Sequence, residues 1–333
     1  MNDQIPNPPQ FLRFQFTGSG GEYFKIWVVN LLLTILTLGV YSAWAKVRRE
    51  RYFYSNTRLG EHAFEYLADP KAILKGRAIA FAVLIGSSAI ASFFPLAEPA
   101  FSLAFLALLP WIVVKGLKFK MHNSAFKNIR FHFNGNYGEA AKAYLLWPLL
   151  TPLTLGLTAP LMFQRQNRLL VSNTRYGTTP FEFLATPKDF YKVLGIYALA
   201  VVLALVLVFS IARNFLPQFF LVAVIPLGLL AYAYFRSHII NAVFNHTEFG
   251  SHQLESRLQT KGLFWIYLTN ALGILLTAGI FAPWAKVRLA KYKADHTVLI
   301  AQGNLDDFVA GQQQEVSSVG SEMGEAFDVD LGL

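Results

Sequence analysis

The sequence contains no cysteine among its 333 residues, so disulfide bonds and cysteine-ligated metal sites are excluded. Charged residues are also scarce, at 15% of the chain against roughly 25% in soluble globular proteins. Hydrophobic residues reach 54%, and the mean hydropathy is +0.39. This balance, together with apolar runs close to bilayer-spanning length, predicts an integral membrane protein.

Several chemical signatures are missing as well. The sequence shows no Gly-rich phosphate loop followed by Lys, no nucleophile elbow and no His-Glu zinc motif. His238, His246 and His252 are spaced by eight and six residues, which matches no helical pair of metal ligands. We therefore expect no catalytic residue, no metal and no cofactor, and a protein that is not an enzyme. The first residues lack the basic part of a signal peptide, so we expect the first apolar segment to direct insertion.

Charge is distributed unevenly along the chain. All 29 Lys and Arg residues lie at or before Lys293, whereas residues 304–333 carry seven acids. The cations stand beside apolar runs, where positive charge on the cytoplasmic side and contact with anionic headgroups explain them better than nucleic acid does. We expect membrane lipids as partners at the cytoplasmic face, and no nucleic acid. The sequence indicates no particular protein partner.

One stretch of the sequence recurs. A gap-free shift of 117 residues places residues 14–66 on 131–183, with 22 of 53 positions identical. A partial third copy lies 240 residues after the first and contains the same Trp-Ala-Lys-Val-Arg motif at 284–288. So many matches at constant offset predict one structural unit used two and a half times.

From these patterns we expect a mainly α, polytopic membrane protein built from internal repeats, with short cytoplasmic β-strands between the membrane elements. The predicted segments are a flexible arm (1–10), repeat unit 1 (11–128), repeat unit 2 (129–247), a partial unit 3 (248–303) and an acidic, disordered tail (304–333). The predicted membrane elements are 22–45, 140–163 and 263–285, and the predicted spans are 78–94, 101–114, 193–212 and 215–235.

The basic residues bear on orientation. Basic residues flank each membrane element, while the loops within the span pairs carry only Glu98 and Arg213. Keeping all basic clusters on the cytoplasmic side requires each membrane element to enter and leave by the same face, as a re-entrant hairpin turning at Gly39, Gly156 or Gly279. We expect four true crossings and cytoplasmic termini. Seven crossings, one for each long apolar segment, are the alternative.

Polar side chains interrupt the membrane elements. They are Asn30, Thr34, Thr37, Thr151, Thr154, Asn270 and Thr277. A polar group in an apolar segment must be hydrogen-bonded or face water, because burying it without a partner costs free energy. Two interpretations stay open: the residues line a solute path where the repeats meet, or they form hydrogen bonds between helices.

Cations that flank these elements form a second set of candidate site residues. They are Lys46, Arg48, Arg58, Arg175, Lys286 and Arg288. Four of them follow a Trp at the edge of an apolar run, which is typical of an aromatic belt and a topology signal. Arg58 and Arg175 end Ser-Asn-Thr-Arg segments, which indicate either a capped turn or an anion contact. Contact with a lipid headgroup or another anion is the functional hypothesis for all six.

The motifs resemble those of the YjgN family of bacterial inner-membrane proteins. The resemblance is carried by Phe-x-Phe-Thr-Gly at 14–18, Glu-Tyr-Phe-Lys-Ile-Trp at 22–27, Leu-Thr-Ile-Leu-Thr-Leu-Gly-Val-Tyr at 33–41 and Trp-Ala-Lys-Val-Arg at 44–48, and it extends to about residue 310. It implies a multi-pass protein of the bacterial inner membrane, without an assigned activity and without catalytic residues. Our first functional hypothesis is a transporter or channel for a small solute, with its path at the repeat junction. The second is a non-catalytic lipid-binding or envelope-organising protein with a basic, aromatic cytoplasmic face.

Overall fold

The computed structural model describes residues 9–214, 219–303, 305 and 307–315. Within these residues, ten strands close into one antiparallel barrel in chain order. The strands are β1 (Gln10–Phe16), β2 (Thr57–Leu59), β3 (His62–Tyr66), β4 (Ser124–Phe126), β5 (Ile129–Phe133), β6 (Thr174–Tyr176), β7 (Thr179–Phe183), β8 (Thr247–Phe249), β9 (His252–Ser256) and β10 (Thr297–Ala301).

Each strand pairs with its neighbours in the chain, and β1 closes the ring on β10. Two-residue loops join β2 to β3, β4 to β5, β6 to β7 and β8 to β9, whereas helices join the other consecutive strands. Because neighbouring strands are antiparallel, every helical connection leaves from the same end of the barrel, which we call the helix end. The two-residue loops all lie at the opposite end, which we call the loop end.

The described chain forms five helical hairpins at the helix end. They are α1 (Gly20–Leu36) with α2 (Ser42–Asn56); α3 (Pro70–Phe93) with α4 (Ala97–His122); α5 (Tyr137–Ala141), a π-helical turn (Lys142–Leu146) and α6 (Trp147–Leu153) with α7 (Ala159–Ser172); α8 (Pro187–Asn214) with α9 (Phe219–Phe244); and α10 (Thr260–Leu276) with α11 (Ala282–Asp295). We call the first, third and fifth the short hairpins and the other two the long hairpins.

The helix starts follow from local sequence. Ser19 caps α1 through its hydroxyl, which accepts a hydrogen bond from the backbone N–H of Glu22 at 3.2 Å. Asn136 caps α5 in the same way, and its Oδ1 lies 2.9 Å from the N–H of Glu139. A carboxylate in the first turn also suits the positive end of the helix dipole. Glu22 and Glu139 therefore lie where they stabilise helix ends.

The junctions between helices and strands share one hydrogen-bond pattern. Each even-numbered strand starts with a Thr or Ser whose hydroxyl donates to the carbonyl four residues earlier, at the end of the preceding helix; these residues are Thr57, Ser124, Thr174, Thr247 and Thr297. The carbonyl of the residue just before each of them accepts a hydrogen bond from the backbone N–H of the first residue after the preceding odd-numbered strand, at 2.9 Å in all five described cases. The pattern anchors both ends of each helical hairpin to the barrel.

The expected fold class was wrong. We predicted a mainly α, polytopic protein of two full units and a partial third, but the strands form one closed barrel from which strand–hairpin–strand connections emerge, five of them in the described chain. Three described helices are long and apolar enough to cross a membrane: Pro70–Phe93, Ala97–His122 and Pro187–Ser210. The sequence could not reveal closure because four of the strands have three residues, too few to show an alternating pattern. The predicted span 215–235 lies partly outside the described residues.

The interior of the barrel is lined by aromatic and aliphatic side chains. Its buried centre includes Phe126, Tyr176, Phe249 and Leu299. Residues 305 and 307–315 are helical, and Leu305 and Val309 are buried in the same cluster, entering from the loop end. We call this described stretch the C-terminal segment.

The prediction of a disordered tail from residue 304 was therefore wrong for the C-terminal segment. Its apolar residues Leu305, Phe308 and Val309 are spaced to share one helix face, and they bury that face in the barrel. A single apolar stripe of this length does not stand out in an acidic, Gln-rich sequence. The prediction for residues 316–333 lies outside the described residues.

Candidate functional site: a cationic cleft

A cleft of ≈ 330 Å³ lies among α1, α2, α11 and the first turns of α3. Four cationic side chains line it: Lys46, Arg49, Arg77 and Lys286. The lining also contains the polar residues Asn30, Thr34 and Ser42 and the apolar or aromatic residues Trp27 and Leu31. We call this site the cationic cleft.

Helix geometry explains how the cations meet. Lys46 and Arg49 are three residues apart in α2, so their side chains share one helix face. Lys286 lies near the start of α11, which packs against α1. Arg77 comes from α3, and its guanidinium donates a hydrogen bond to the hydroxyl of Ser42. Three helical hairpins thus contribute positive charge to one space.

The charge of the cleft is only partly neutralised. The guanidinium of Arg49 donates to Oε1 of Glu50, from Nη2 at 2.8 Å and from Nε at 3.1 Å. Within the described part of the chain, no carboxylate forms an ion pair with Lys46, Arg77 or Lys286. Burial and then the nearby Arg49 cation lower the pKa of Lys286, while Glu50 opposes them. Several cations that converge without a described carboxylate partner make the cleft a favourable place for an anion.

Asn30 contributes a second signal of ligand binding. Its side chain is 8% exposed and lines the cleft. Nδ2 donates to the carbonyl of Ala45 at 3.4 Å, but the buried Oδ1 has no hydrogen-bond partner in the described structure. A buried acceptor without a partner is costly, so a ligand or water that donates to it would be stabilised there.

In the third short hairpin, the corresponding Asn has the hydrogen-bond donor that Asn30 lacks. Asn270 occupies the corresponding place and also donates to a carbonyl fifteen residues on, that of Ala285, at 3.2 Å. Its Oδ1, however, accepts from Nη1 of Arg288 at 2.8 Å. The counterpart of Arg288 in the first hairpin is Arg48, which instead donates to the hydroxyl of Tyr41 at 3.0 Å. In the described structure, the Asn of the first hairpin thus has an Oδ1 without a partner, whereas that of the third does not.

The threonines predicted for a solute path are occupied by the helix backbone. Each donates its hydroxyl to the carbonyl four residues earlier: Thr34, Thr37, Thr151, Thr154 and Thr277. The hydroxyls of Thr37, Thr154 and Thr277 also accept the backbone N–H four residues later, at 2.9–3.3 Å. These threonine hydroxyls thus form hydrogen bonds with backbone groups near the turn between the two helices of each short hairpin.

The structure brings together few of the residues predicted for that path. Asn30 and Thr34 line the cationic cleft. Thr151 and Thr154 belong to the second short hairpin, and Asn270 and Thr277 to the third. The seven residues therefore do not line one common space in the described structure.

The three glycines predicted at re-entrant turns lie at the tips of the short hairpins. Gly39, Gly156 and Gly279 have φ values of +92°, +87° and +93°, which favour glycine. The residue before each also has positive φ, and two of these residues, Leu38 and Leu155, are 96% and 95% exposed. Each tip therefore combines a tight turn with apolar side chains that have no protein contact to bury them.

The six predicted anion-contact residues are distributed over three locations. Lys46 and Lys286 line the cleft, and Arg48 and Arg288 form the hydrogen bonds described above. Arg58 in β2 and Arg175 in β6 are exposed on the outside of the barrel. Sequence reasoning missed Arg49 and Arg77 as members of the cleft. For Arg77 a signal existed, since it is the last cation before the apolar run of α3.

Comparison with known proteins shows which family this chain belongs to. Residues 11–326 match the family described as "Bacterial protein of unknown function (DUF898)". The chain belongs to the DUF898 family. No solved structure matches it.

Curated relatives of this DUF898 chain carry the name "Inner membrane protein YjgN". The protein of Salmonella typhimurium (strain LT2) is 35% identical over 142 residues, that of Escherichia coli O157:H7 30% over 144 and that of Escherichia coli (strain K12) 32% over 152. The matches cover 42–43% of this chain and 36% of each relative, so the chain spans about a third of the length of these relatives. The resemblance to the YjgN family is confirmed. The relatives are thus named inner membrane proteins, and this chain contains helices apolar enough for a bilayer.

Proposed function

We propose that this DUF898 protein is a multi-pass, non-enzymatic protein of the bacterial inner membrane that binds the anionic headgroups of membrane lipids in the cationic cleft. The observation that carries the proposal is the convergence of Lys46, Arg77 and Lys286 without a described carboxylate partner. The names of the relatives and the apolar helices support the membrane location.

In this proposal the helix end of the barrel faces the bilayer. Helices α3 and α4 have 24 and 26 residues, and at about 1.5 Å per residue they reach roughly 36 and 39 Å, more than the roughly 30 Å hydrocarbon core. Helices α1 and α10 have 17 residues each, roughly 26 Å, and stop short of the far side. The long hairpins then cross the membrane, and the short hairpins dip into it and return.

The exposed tips fit this arrangement. Leu38, Leu155 and Leu275 would meet lipid instead of water, which removes the cost of exposing them. The irregular backbone at Gly39 and Gly156 is tolerable there because the turn N–H groups are bonded: each glycine N–H donates to the carbonyl five residues earlier at 2.8 Å. The start of β1 and the end of β10 both lie at the loop end, so both would be on the cytoplasmic side.

The cleft has the chemistry of a lipid phosphate site. A phosphate would accept hydrogen bonds from Lys46, Arg77 and Lys286, and such charge-assisted bonds are the strong ones. Trp27 and Leu31 complete the wall with aromatic and apolar surface, as suits a site at the level of the headgroups. Lys46 and Arg77 also line an adjoining cleft of ≈ 590 Å³ between α2, α3 and α4, which leaves room for a bulky headgroup.

Transport of a small solute is the second candidate. Asn30, whose buried Oδ1 has no described partner, and the nearby Thr34 favour it, since both residues line the cleft. The backbone hydrogen bonds of the threonines weigh against a polar pathway through all three short hairpins.

Calorimetric titration of the detergent-purified full chain tests the lipid proposal. The probes are dihexanoyl phosphatidylglycerol and dihexanoyl phosphatidylcholine. We expect the anionic lipid to bind more tightly, and the double variant Lys46→Gln/Lys286→Gln to lose at least tenfold in affinity, because each hydrogen bond to a charged group contributes roughly 1.5–3 kcal/mol. Arg175→Gln, which lies outside the cleft, is the matched control and should bind normally. Equal affinity for the two lipids would contradict the proposal.

Cysteine labelling separates the two candidates, because the chain has no cysteine of its own. Thr34→Cys in a transporter would react with a charged methanethiosulfonate reagent applied from either side of the membrane. In a headgroup site it would react from the cytoplasmic side alone, and phosphatidylglycerol would slow the reaction.

A further inference from the structure

The barrel encloses an apolar cavity that the cationic cleft does not explain. Its volume is ≈ 220 Å³, and each of the ten described strands contributes one side chain to its wall. Six of these side chains are Phe, and the others are Tyr or Leu. The C-terminal segment completes the wall with Leu305 and Val309. A single layer of inward-facing residues thus surrounds one space.

Among the described residues, the wall offers no free polar group. The one hydroxyl among the lining side chains, that of Tyr176, donates to the carbonyl of Phe126 at 3.0 Å. Water needs two to four polar partners to occupy a cavity, so it is disfavoured here. An uncharged, apolar occupant is favoured instead, because it exchanges contact with water for contact with rings.

The size and rigidity of the space indicate a site and not a packing defect. Protein interiors contain few voids larger than a water molecule, and an apolar cavity of about 150 Å³ already binds benzene or xenon. The rings around the space hold one another in place: the ring centroids of Phe64 and Phe126 are 4.8 Å apart, and those of Phe181 and Phe249 are 4.9 Å apart. Interlocked rings resist collapse into the cavity.

The C-terminal segment covers the cavity at the loop end. Phe308 contacts His252 edge-on, with ring centroids 4.6 Å apart. Beyond it, Oε1 of Gln312 accepts from the backbone N–H of Thr178 at 2.9 Å and from its hydroxyl at 3.0 Å. The Oε1 of Gln312 also accepts from the backbone N–H of Thr179, the first residue of β7, at 3.3 Å. The segment is not itself a strand of the closed barrel, so it can leave while β1 to β10 remain paired with one another.

We propose that the barrel binds one uncharged hydrocarbon group, an aliphatic chain or an aromatic ring, in this cavity, and that the C-terminal segment closes over it. The group enters from the loop end when the segment lifts. It is held by contact with the aromatic wall alone. This site is separate from the cationic cleft, and either could exist without the other.

Fluorescence titration with 1-aminoanthracene tests the proposal on the full chain in detergent. We expect saturable binding of one probe per chain above the micelle background. Leu254→Trp places a larger side chain in the wall and should weaken binding at least tenfold. Leu38→Trp, at an exposed hairpin tip, is the matched control and should bind as the wild type does. Absence of saturable binding by the wild type would overturn the proposal, and so would unchanged binding by a folded Leu254→Trp variant.

A second variant keeps the test decisive if Leu254→Trp does not fold. Phe308→Ala removes the ring that covers His252 and should speed probe dissociation at least tenfold while leaving the strands intact. An unchanged dissociation rate would contradict closure by the segment. Displacement of the probe by decane and by lysophosphatidylglycerol distinguishes the two sources of a hydrocarbon group. Decane alone would indicate a free apolar molecule, and displacement by both would indicate the chain of a lipid.

Discussion

The contrast between Arg288 and Arg48 yields a sharp prediction. Arg288 donates to the buried Oδ1 of Asn270 at 2.8 Å and to the hydroxyl of Thr269 at 3.0 Å. Replacing it in Arg288→Met leaves a buried acceptor without a partner, which costs about 2 kcal/mol. Arg48 has the same local sequence but donates to an exposed Tyr hydroxyl, so Arg48→Met should cost about 0.5 kcal/mol or less.

Thermal unfolding of the detergent-purified chain measures the difference. The entropy of unfolding grows with chain length, at about 2.1 cal/mol/K per residue, so a chain of 333 residues loses roughly 1.4 °C per kcal/mol. Arg288→Met should therefore lower Tm by about 3 °C, and Arg48→Met by about 1 °C or less. Asn270→Leu removes the acceptor, so adding Arg288→Met to it should cost much less than in the wild type. Equal losses for the two Arg variants, or additive losses in the double variant, would refute the reasoning.

Two further predictions concern pH and the hairpin turns. Burial lowers the pKa of His252 below its usual 6.5, so the unfolded chain binds more protons than the folded chain below that pH. The stability of the protein should therefore fall as the pH drops through about 6.5. The variant His252→Phe should flatten this dependence in thermal melts from about pH 5 to 8. Gly279→Ala places a Cβ at φ +93° and should cost about 1 kcal/mol or more in the same melts. Gly76→Ala, in the helical interior of α3 with open space around it, should instead be neutral or stabilising, and equal losses would rule out backbone strain as the cause.

The sequence indicates environment and local turns better than it indicates the fold. Gly39 and Gly279 lie at positive φ, as glycine in a turn often does, while their depth in a membrane stays a prediction. The barrel was missed because closure depends on pairing between distant residues, such as Phe14 with Leu59 and Phe11 with Ile300. Strands of three residues that directly follow helices are too short for a sequence pattern that would predict which strands they pair with.

The residues of the cationic cleft could be predicted only in part, for the same reason. Lys46 and Lys286 are marked by the shared Trp-Ala-Lys-Val-Arg motif. Arg77 joins them through a hydrogen bond to Ser42, 35 residues away in the chain, and no local pattern reports that contact. The cavity in the barrel depends on ten strands at once and could not be inferred before closure was known.

The placement of the barrel on one side of the membrane is tested most directly by single-cysteine labelling in spheroplasts and inverted vesicles. Glu61→Cys, Lys127→Cys and Ser251→Cys lie in three different loops at the loop end, and Glu98→Cys lies at the tip of the α3–α4 hairpin. We predict that a charged maleimide labels the three loop positions in inverted vesicles alone and Glu98→Cys in spheroplasts alone. Labelling of any two loop positions from opposite sides of the membrane would contradict the account.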